Sequence, residues 1–194
     1  MRELSPTLTF APELLLAARG GDDGIRAAIF DVDGVMTDGR IAIGADGEVL
    51  KSFSTLDGHG AKLLARAGIE PVVISGRDSP ALRRRLVELG IVHAACGVAD
   101  KLAAADRLLA TLGVGWGSVA AMGDDWPDLP LLLRAAFACA PPEAHAEVRA
   151  VVHHVTQAPA GRGSVRECCD LLLMAAGRYS DLLRSGLGTL DATP

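Results

Sequence analysis

Ile25-Arg26-Ala27-Ala28-Ile29-Phe30-Asp31-Val32-Asp33-Gly34-Val35 is the stretch that decides the fold. Its first six residues are a largely apolar run and read as a buried strand of a parallel sheet. Where the run stops, two carboxylates stand two positions apart with a glycine behind them. Like charges this close are costly unless a cation or a shared proton holds them. Asp31 and Asp33 at the end of a hydrophobic strand therefore point to a site rather than to stability. Read alone, the four residues from Asp31 also fit a simple turn. The residues further along decide between the two.

Downstream, 39–43 and 48–53 read as the arms of a hairpin whose turn carries Gly44, Asp46 and Gly47. The pattern then alternates. A helix over 58–67 is stopped by Gly68, a strand covers 71–74, and a helix runs from Ser79-Pro80 to Gly90. A strand over 92–96, a helix over 100–112 closed by Gly113, and a strand over 118–122 follow. Strands over 137–140 and 151–155 and a long helix over 165–179 complete the chain. Residues 1–24 read as an amphipathic N-terminal extension ending in Gly20-Gly21-Asp22-Asp23-Gly24, 25–180 as one domain and 181–194 as a loose tail. Such alternation makes an α/β fold with a doubly wound parallel sheet. The chain's 194 residues suffice for one such domain with a real core.

Ligands of doubly wound sheets bind beyond the carboxyl ends of the strands. Asp31 and Asp33 follow one predicted strand, Ser75-Gly76 another, and Gly123-Asp124-Asp125 a third. All are expected on one rim. Asp31, Asp33, Asp124 and Asp125 offer the oxygen ligands that a hard cation such as Mg²⁺ prefers. Ser75 and the amides beside it suit a phosphate oxygen, and Lys101, at a helix start, offsets the charge of a carboxylate and a phosphate. A carboxylate with Mg²⁺, a hydroxyl and a lysine is a phosphoryl-transfer constellation. In it a carboxylate nucleophile takes the phosphoryl group as an aspartyl phosphate. Each group also has a plain structural reading: Ser75-Gly76 as a turn, Lys101 as a surface residue, Gly123-Asp124-Asp125 as a helix cap. Their order, each after a strand or at a helix start, favours the site.

Composition narrows the function classes. Aromatic residues are 4% of the chain, so aliphatic residues and alanine fill the core. The net charge of −5 and the absence of a basic stripe argue against nucleic acid as a partner. Arg83-Arg84-Arg85 is the one basic run, and consecutive helix positions diverge, so it reads as a solvated helix face. Cys96, Cys139, Cys168 and Cys169 form no Cys-x-x-Cys pair, which fits reduced thiols and a cytoplasmic protein. His153 and His154 lie in a strand pattern and point to opposite faces, which rejects them as a ligand pair. No apolar run reaches the roughly 18 residues of a membrane span. Leu14-Leu15-Leu16-Ala17-Ala18 could pass for a short signal core, but Glu3 and Glu13 argue against one. No membrane partner is expected.

Asp31-Val32-Asp33-Gly34, Ser75-Gly76-Arg77, Lys101, and Gly123-Asp124-Asp125 with Asp128 resemble the four motifs of the haloacid dehalogenase superfamily of phosphohydrolases. The resemblance spans about residues 25–175. Four further stretches are similar to one branch of it, the 3-deoxy-D-manno-octulosonate 8-phosphate phosphatases. They are Val35-Met36-Thr37-Asp38-Gly39, Phe53-Ser54-Thr55-Leu56-Asp57-Gly58-His59-Gly60, Gly123-Asp124-Asp125-Trp126-Pro127-Asp128 and Gly161-Arg162-Gly163-Ser164-Val165-Arg166-Glu167. Those enzymes release phosphate in making the Kdo sugar of lipopolysaccharide. Phosphatases of nine-carbon, sialic-type keto acid 9-phosphates share much of the pattern.

The resemblance implies roles. Asp31 is the nucleophile and a direct Mg²⁺ ligand. Asp33 is the general acid and then the base, and it binds the metal through its backbone carbonyl. Asp124 completes the metal site and Asp125 supports it through water. Ser75 and Lys101 hold the phosphoryl group. Gly76, Arg77 and Arg85 and the Ser54, Thr55, Leu56, Asp57, Gly58 loop face a small phosphorylated sugar acid, with Lys62 nearby. Many members carry a basic residue where Leu56 stands, and a leucine cannot pair with the sugar carboxylate. Lys62, Arg77 or Arg85 takes that task, or the substrate differs.

Only 43 residues separate Asp31 from Ser75, and the hairpin and one helix use most of them. That leaves no room for a large cap domain to exclude water from the site. A neighbouring subunit, reached through the hairpin, is expected to cover it, and the resemblance implies a tetramer. Arg162 either reaches toward an adjacent site or belongs to a loop before the last helix. Two readings from other classes compete. A receiver-type signalling domain also pairs carboxylates with a Ser or Thr and a Lys, but its phospho-acceptor follows a middle strand. A non-catalytic oligomerising module would keep the fold while losing the nucleophile or its helpers, and none is missing here.

Overall fold

A computed structural model describes residues 5–45 and 47–185. The strands are β1 (Ala27–Phe30), β2 (Ala42–Gly44), β3 (Gly47–Leu50), β4 (Glu70–Ser75), β5 (His93–Cys96), β6 (Val119–Met122), β7 (Phe137–Ala140) and β8 (His154–Val155). The helices are α1 (Pro12–Ala17), α2 (Thr55–Arg66), α3 (Pro80–Leu89), α4 (Lys101–Leu112), α5 (Leu129–Leu132), α6 (Ala146–Val151), α7 (Ser164–Ala175) and α8 (Tyr179–Ser185). Six strands form a parallel sheet in the order β5-β4-β1-β6-β7-β8, and β2 and β3 form a separate antiparallel hairpin. The expected doubly wound α/β fold is therefore present.

All four β1 residues are buried, because helices cover both faces of the sheet. Ala28 and Phe30 face one core, shared with Leu64 of α2 and with Cys169, Leu172 and Leu173 of α7. Ala27 and Ile29 face the other, shared with Ala104, Ala105 and Leu109 of α4. Burying a phenylalanine or isoleucine side chain contributes about 1.5–3 kcal/mol. Phe30 is among the largest fully enclosed side chains, so its truncation to alanine would cost about 3–5 kcal/mol. The chain runs outward from β1 through β4 to β5, then returns to β6 on the other side of β1. The strand order thus reverses between β1 and β6. The carboxyl ends of β1, β4 and β6 meet there, as the rim rule requires.

Three elements differ from the sequence reading. The expected helix over 58–67 begins earlier, at Thr55, because Ser54 caps it by accepting from the Asp57 backbone N–H at 3.4 Å. The expected strand over 151–155 shrinks to two residues. Val151 ends α6, which His145 caps from its side chain, and only His154 and Val155 join the ladder beside β7. The expected helix over 165–179 stops at Ala175. Gly177 adopts φ +68°, and the Arg178 N–H donates back to the Leu173 carbonyl at 2.8 Å. The chain then resumes as α8, which takes up residues 181–185 of the expected tail. The rest of that tail, residues 1–4 and Asp46 of the expected hairpin turn lie outside the described residues. In the N-terminal extension, Leu14, Leu15 and Ala17 of α1 pack against the core that holds α7. No helix among the described residues is long and apolar enough to cross a membrane.

Candidate active site

Asp31 follows β1 directly, and its backbone N–H donates to the Met122 carbonyl at 3.0 Å, which extends the β1–β6 ladder by one step. The chain then leaves the sheet in a wide turn over Val32–Met36. Gly34 sits in this turn at φ +94°, and any side chain there would collide with the Asp124 carboxylate. The turn carries Asp33 over the same rim. Ser75 is the last residue of β4 and is buried; its Oγ accepts from the Arg77 backbone N–H at 3.2 Å. Lys101 opens α4, whose cap is Asp100. Asp124, Asp125 and Asp128 follow β6. Asp128 Oδ2 accepts from the backbone N–H groups of Asp124 and Asp125 at 3.1 and 3.4 Å, and Asp125 Oδ1 accepts from Trp126 N–H at 2.8 Å.

These residues converge. Lys101 Nζ lies 2.7 Å from Asp31 Oδ1 and 2.6 Å from Asp128 Oδ1. One carboxylate oxygen from each of Asp31, Asp124 and Asp128 falls within 4.8 Å of the others. Burial pushes the Asp31 carboxyl up to about 6; Asp128 pushes the same way and Lys101 opposes. Burial, with repulsion from Asp31 and Asp128, pushes Asp124 up to about 8. Burial alone would lower the Lys101 ammonium, but the attraction of Asp31 and Asp128 outweighs it and the net direction is upward. Two carboxyls held above their ordinary range, with oxygens this close, form a site that a divalent cation would relieve. A pocket of about 370 Å³ opens over the cluster. Asp31, Asp33, Asp124, Asp125, Lys101, Ser75, Gly76 and Arg77 all line it.

The expected substrate loop is not brought to this pocket. Asp57 is buried, and its carboxylate accepts from the Gly163 and Arg166 backbone N–H groups at 3.2 and 2.8 Å, which caps the start of α7. Both of its oxygens are thus engaged within the chain. Ser54 is spent as the α2 cap. Gly58 is buried against α3, where a side chain would collide with the Arg85 guanidinium. Arg85 donates to the Ser54 carbonyl at 3.0 Å and sits over the Phe53 ring, so it braces the loop. Thr55 and Lys62 are exposed on α2 outside the pocket lining. Leu56 and Arg162 line a different groove of about 360 Å³, with Leu8 and Phe10 of the N-terminal extension. His153 and His154 have separate partners, the Ala138 backbone N–H and the Glu167 carboxylate.

Sequence reading gave Asp128 no role, yet it is the residue that locks Lys101 and the Asp124-Asp125 backbone together. Its spacing after Asp125 is a capping-box pattern, and that box forms here. Lys51 and Glu48 were missed too. Lys51 Nζ pairs with Asp33 Oδ1, and Glu48 Oε2 lies 3.5 Å from Arg77 Nη2.

No protein-family model matches the chain. Individual proteins do. The 3-deoxy-D-manno-octulosonate 8-phosphate phosphatase of Yersinia pestis is 44% identical over 151 residues, spanning 78% of this chain and 81% of that protein. Its namesake in Escherichia coli K12 is 39% identical over 159 residues, spanning 82% and 85%. The crystal structure of the Moraxella catarrhalis 3-deoxy-D-manno-octulosonate 8-phosphate phosphatase, in complex with a magnesium ion, a phosphate ion and a KDO molecule, superposes with a TM-score of 0.84. It is 35% identical and covers 90% of this chain and 98% of that one. The cobalt-bound deoxy-D-mannose-octulosonate 8-phosphate phosphatase of Haemophilus influenzae gives 0.81 at 39% identity, covering 89% and 99%.

Proposed function

The chain belongs to the 3-deoxy-D-manno-octulosonate 8-phosphate phosphatases of the haloacid dehalogenase superfamily, and from that premise we propose how its residues do the work. It is a phosphomonoester hydrolase that uses Mg²⁺ to convert 3-deoxy-D-manno-octulosonate 8-phosphate to the free sugar acid and inorganic phosphate, a step of lipopolysaccharide biosynthesis. The observation that best supports the residue assignment is the meeting of Asp31, Lys101, Asp124 and Asp128 from three separated segments in one buried cluster.

The donor set fits a hard divalent cation. Asp128 is committed to Lys101 and to two backbone N–H groups, which leaves Asp31 and Asp124 to hold the ion, with the Asp33 backbone carbonyl and, through water, Asp125. When bound, Mg²⁺ neutralises phosphoryl charge and aligns the phosphate for in-line attack.

The chain's own residues carry the steps. Lys101 favours the ionised form of Asp31. An Asp31 carboxylate oxygen bonds to phosphorus as the phosphorus–sugar oxygen bond breaks, and Asp33 gives its proton to the departing sugar oxygen. Water then bonds to phosphorus, its proton passes to Asp33, and the bond to Asp31 breaks to release phosphate. Both aspartates end as they began. Ser75, the Gly76 amide and Lys101 hold the non-bridging oxygens.

The hairpin supports a homo-oligomer, which we read as a tetramer. Ile43, Val49 and Leu50 expose about two-thirds of their surface, whereas the neighbouring Glu48 and Lys51 side chains turn inward and are 10% and 4% exposed. A hairpin with its apolar side chains outward is built to be covered. A phosphorylated sugar substrate and the buried free thiols of Cys139, Cys168 and Cys169 fit a cytoplasmic enzyme.

Leu56 stands where a basic residue is usual, so the panel that tests this reading includes a nine-carbon keto acid 9-phosphate. Phosphate release from a panel of sugar phosphates with Mg²⁺, for wild type and Asp31→Asn, tests the reading. Wild type should prefer the eight-carbon ester and Asp31→Asn should be inert, since an amide is a poor nucleophile. Turnover by Asp31→Asn at the wild-type rate ends the assigned mechanism, whereas preference for the nine-carbon ester changes the substrate alone.

A further inference from the structure

A buried lysine in the return arm of a hairpin is an expensive feature. The Lys51 side chain is 4% exposed, and an ammonium taken out of water is stable only where it is paired. A leucine or methionine would close the hairpin stem at less cost. The lysine instead ends on Asp33 Oδ1. Its second neighbour is Glu48 Oε2, at 3.7 Å, and Glu48 in turn reaches Arg77 at 3.5 Å. The stem is therefore joined to the rim of the pocket by a short chain of alternating charges, Asp33 to Lys51 to Glu48 to Arg77.

The two oxygens of Asp33 are treated differently. Oδ1 is held by Lys51. Oδ2 is shielded from solvent, has no hydrogen-bond partner among the described residues, and lies 3.9 Å from Arg77 Nε. An acceptor left this way is costly unless something reaches it during function. We propose that Lys51 is a positioning residue: by occupying Oδ1 it leaves Oδ2 as the one oxygen free to exchange the proton with the leaving group and with water. The hairpin then does more than offer an outer surface. Its stem sets the orientation of the acid–base group, and Glu48 keeps Lys51 and Arg77 from both collapsing onto Asp33. This inference rests on the phosphatase reading, because it needs Asp33 to be the acid–base group.

The test uses the full chain with Mg²⁺ and the eight-carbon sugar phosphate, comparing wild type, Lys51→Met and Lys51→Arg. A misaimed acid–base group costs rate rather than binding, so Lys51→Met should lose about 10- to 100-fold in kcat with KM within about twofold. Lys51→Arg, which can still reach a carboxylate, should recover much of the loss. A purely structural Lys51 would instead lower the melting temperature and shift kcat and KM together, with no recovery by arginine, and that outcome overturns the proposal. Wild-type kcat in Lys51→Met overturns it as well. A second readout needs no turnover. Under limiting acetic anhydride, peptide mass spectrometry should find Lys51 acetylated slowly in wild type and several-fold faster in Asp33→Ala; equal rates remove the pairing. A wild type inert toward every sugar phosphate in the panel sinks the phosphatase reading and this inference together. An active wild type matched by Lys51→Met sinks this inference alone.

Discussion

Lys101 donates to Asp31 across 70 positions of sequence, with Nζ 2.7 Å from Oδ1 and both side chains 8% exposed. The pairing gives a buried carboxylate a counter-charge before any phosphate arrives. It also ties the first motif of the chain to the last, because the same ammonium reaches Asp128. Removing it leaves Asp31, Asp124 and Asp128 together with no cationic side chain among them. Lys101→Met should therefore lower kcat about 10²–10³-fold at saturating Mg²⁺, as losing a preorganised charged donor does elsewhere. Steady-state phosphate release measures it. A loss below tenfold would show that Lys101 is structural.

The raised carboxyls make a pH prediction with a definite sign. Asp31 at about 6 and Asp124 at about 8 keep protons in the folded state that the unfolded chain has already released near 4. Their contribution to stability is present at low pH and fades as pH rises through those two values. The metal-free melting temperature should thus fall between pH 6 and 8. A cation that takes the place of those protons binds more tightly as pH rises. The gain in melting temperature on adding Mg²⁺ should grow over the same window, and Asp124→Asn should abolish most of that growth. Thermal unfolding with and without Mg²⁺ at pH 6, 7 and 8 checks both halves. A Mg²⁺ gain that is flat across the window contradicts the cluster's assignment.

Ser75, Lys101 and Asp124 were legible because each stands where a strand ends or a helix starts, and the rim rule turns chain order into position. The hairpin was legible from its glycine-rich turn. The substrate loop was not. Leu56 and Asp57 are adjacent in the first turn of α2, where neighbouring side chains diverge by about 100°. One enters a surface groove and the other the α7 cap. A sharper reading existed: Ser54-Thr55-Leu56-Asp57 is itself an N-cap pattern, which would have started the helix at Thr55. The strand expected over 151–155 failed because Val151 and Val152 suit a strand locally, while His145 caps a helix that runs through Val151. Lys51 had no sequence signal beyond an alternation of charge and apolar residues. Its partner lies 18 positions away and is met only when the hairpin folds back.

The place of Asp57 in the α7 cap is testable. Its carboxylate serves two backbone N–H groups at the start of α7, which packs over the central sheet. Replacing it with alanine strips both of their partner. Each such donor left without one costs about 1–3 kcal/mol, so Asp57→Ala should destabilise the fold by roughly 2–6 kcal/mol. Urea unfolding measures this. Below the variant's melting temperature its KM for the sugar phosphate should match wild type. A several-fold rise in KM with unchanged stability would return Asp57 to the substrate site.

Hairpin residues Ile43, Val49 and Leu50 carry the last prediction. Their exposure, 67%, 66% and 66%, contrasts with the buried polar Glu48 and Lys51 of the same stem. In a lone chain this arrangement is backwards, since the apolar side chains meet water while the charged ones are desolvated. Coverage by neighbouring copies, as proposed, would resolve the inversion: each apolar side chain would gain burial worth about 25 cal/mol per Å², and the open pocket over Asp31 would gain a lid that the short insertion cannot supply. Changing all three to serine removes the outer apolar face and leaves the inner ion pairs untouched. Light scattering after size exclusion should then move from the proposed tetramer to a monomer or dimer. Phosphate release should weaken with it, because water enters a site whose charges act most strongly when dry. A wild type that is already monomeric and fully active would mean that the pocket works open and that the apolar hairpin face has some other purpose.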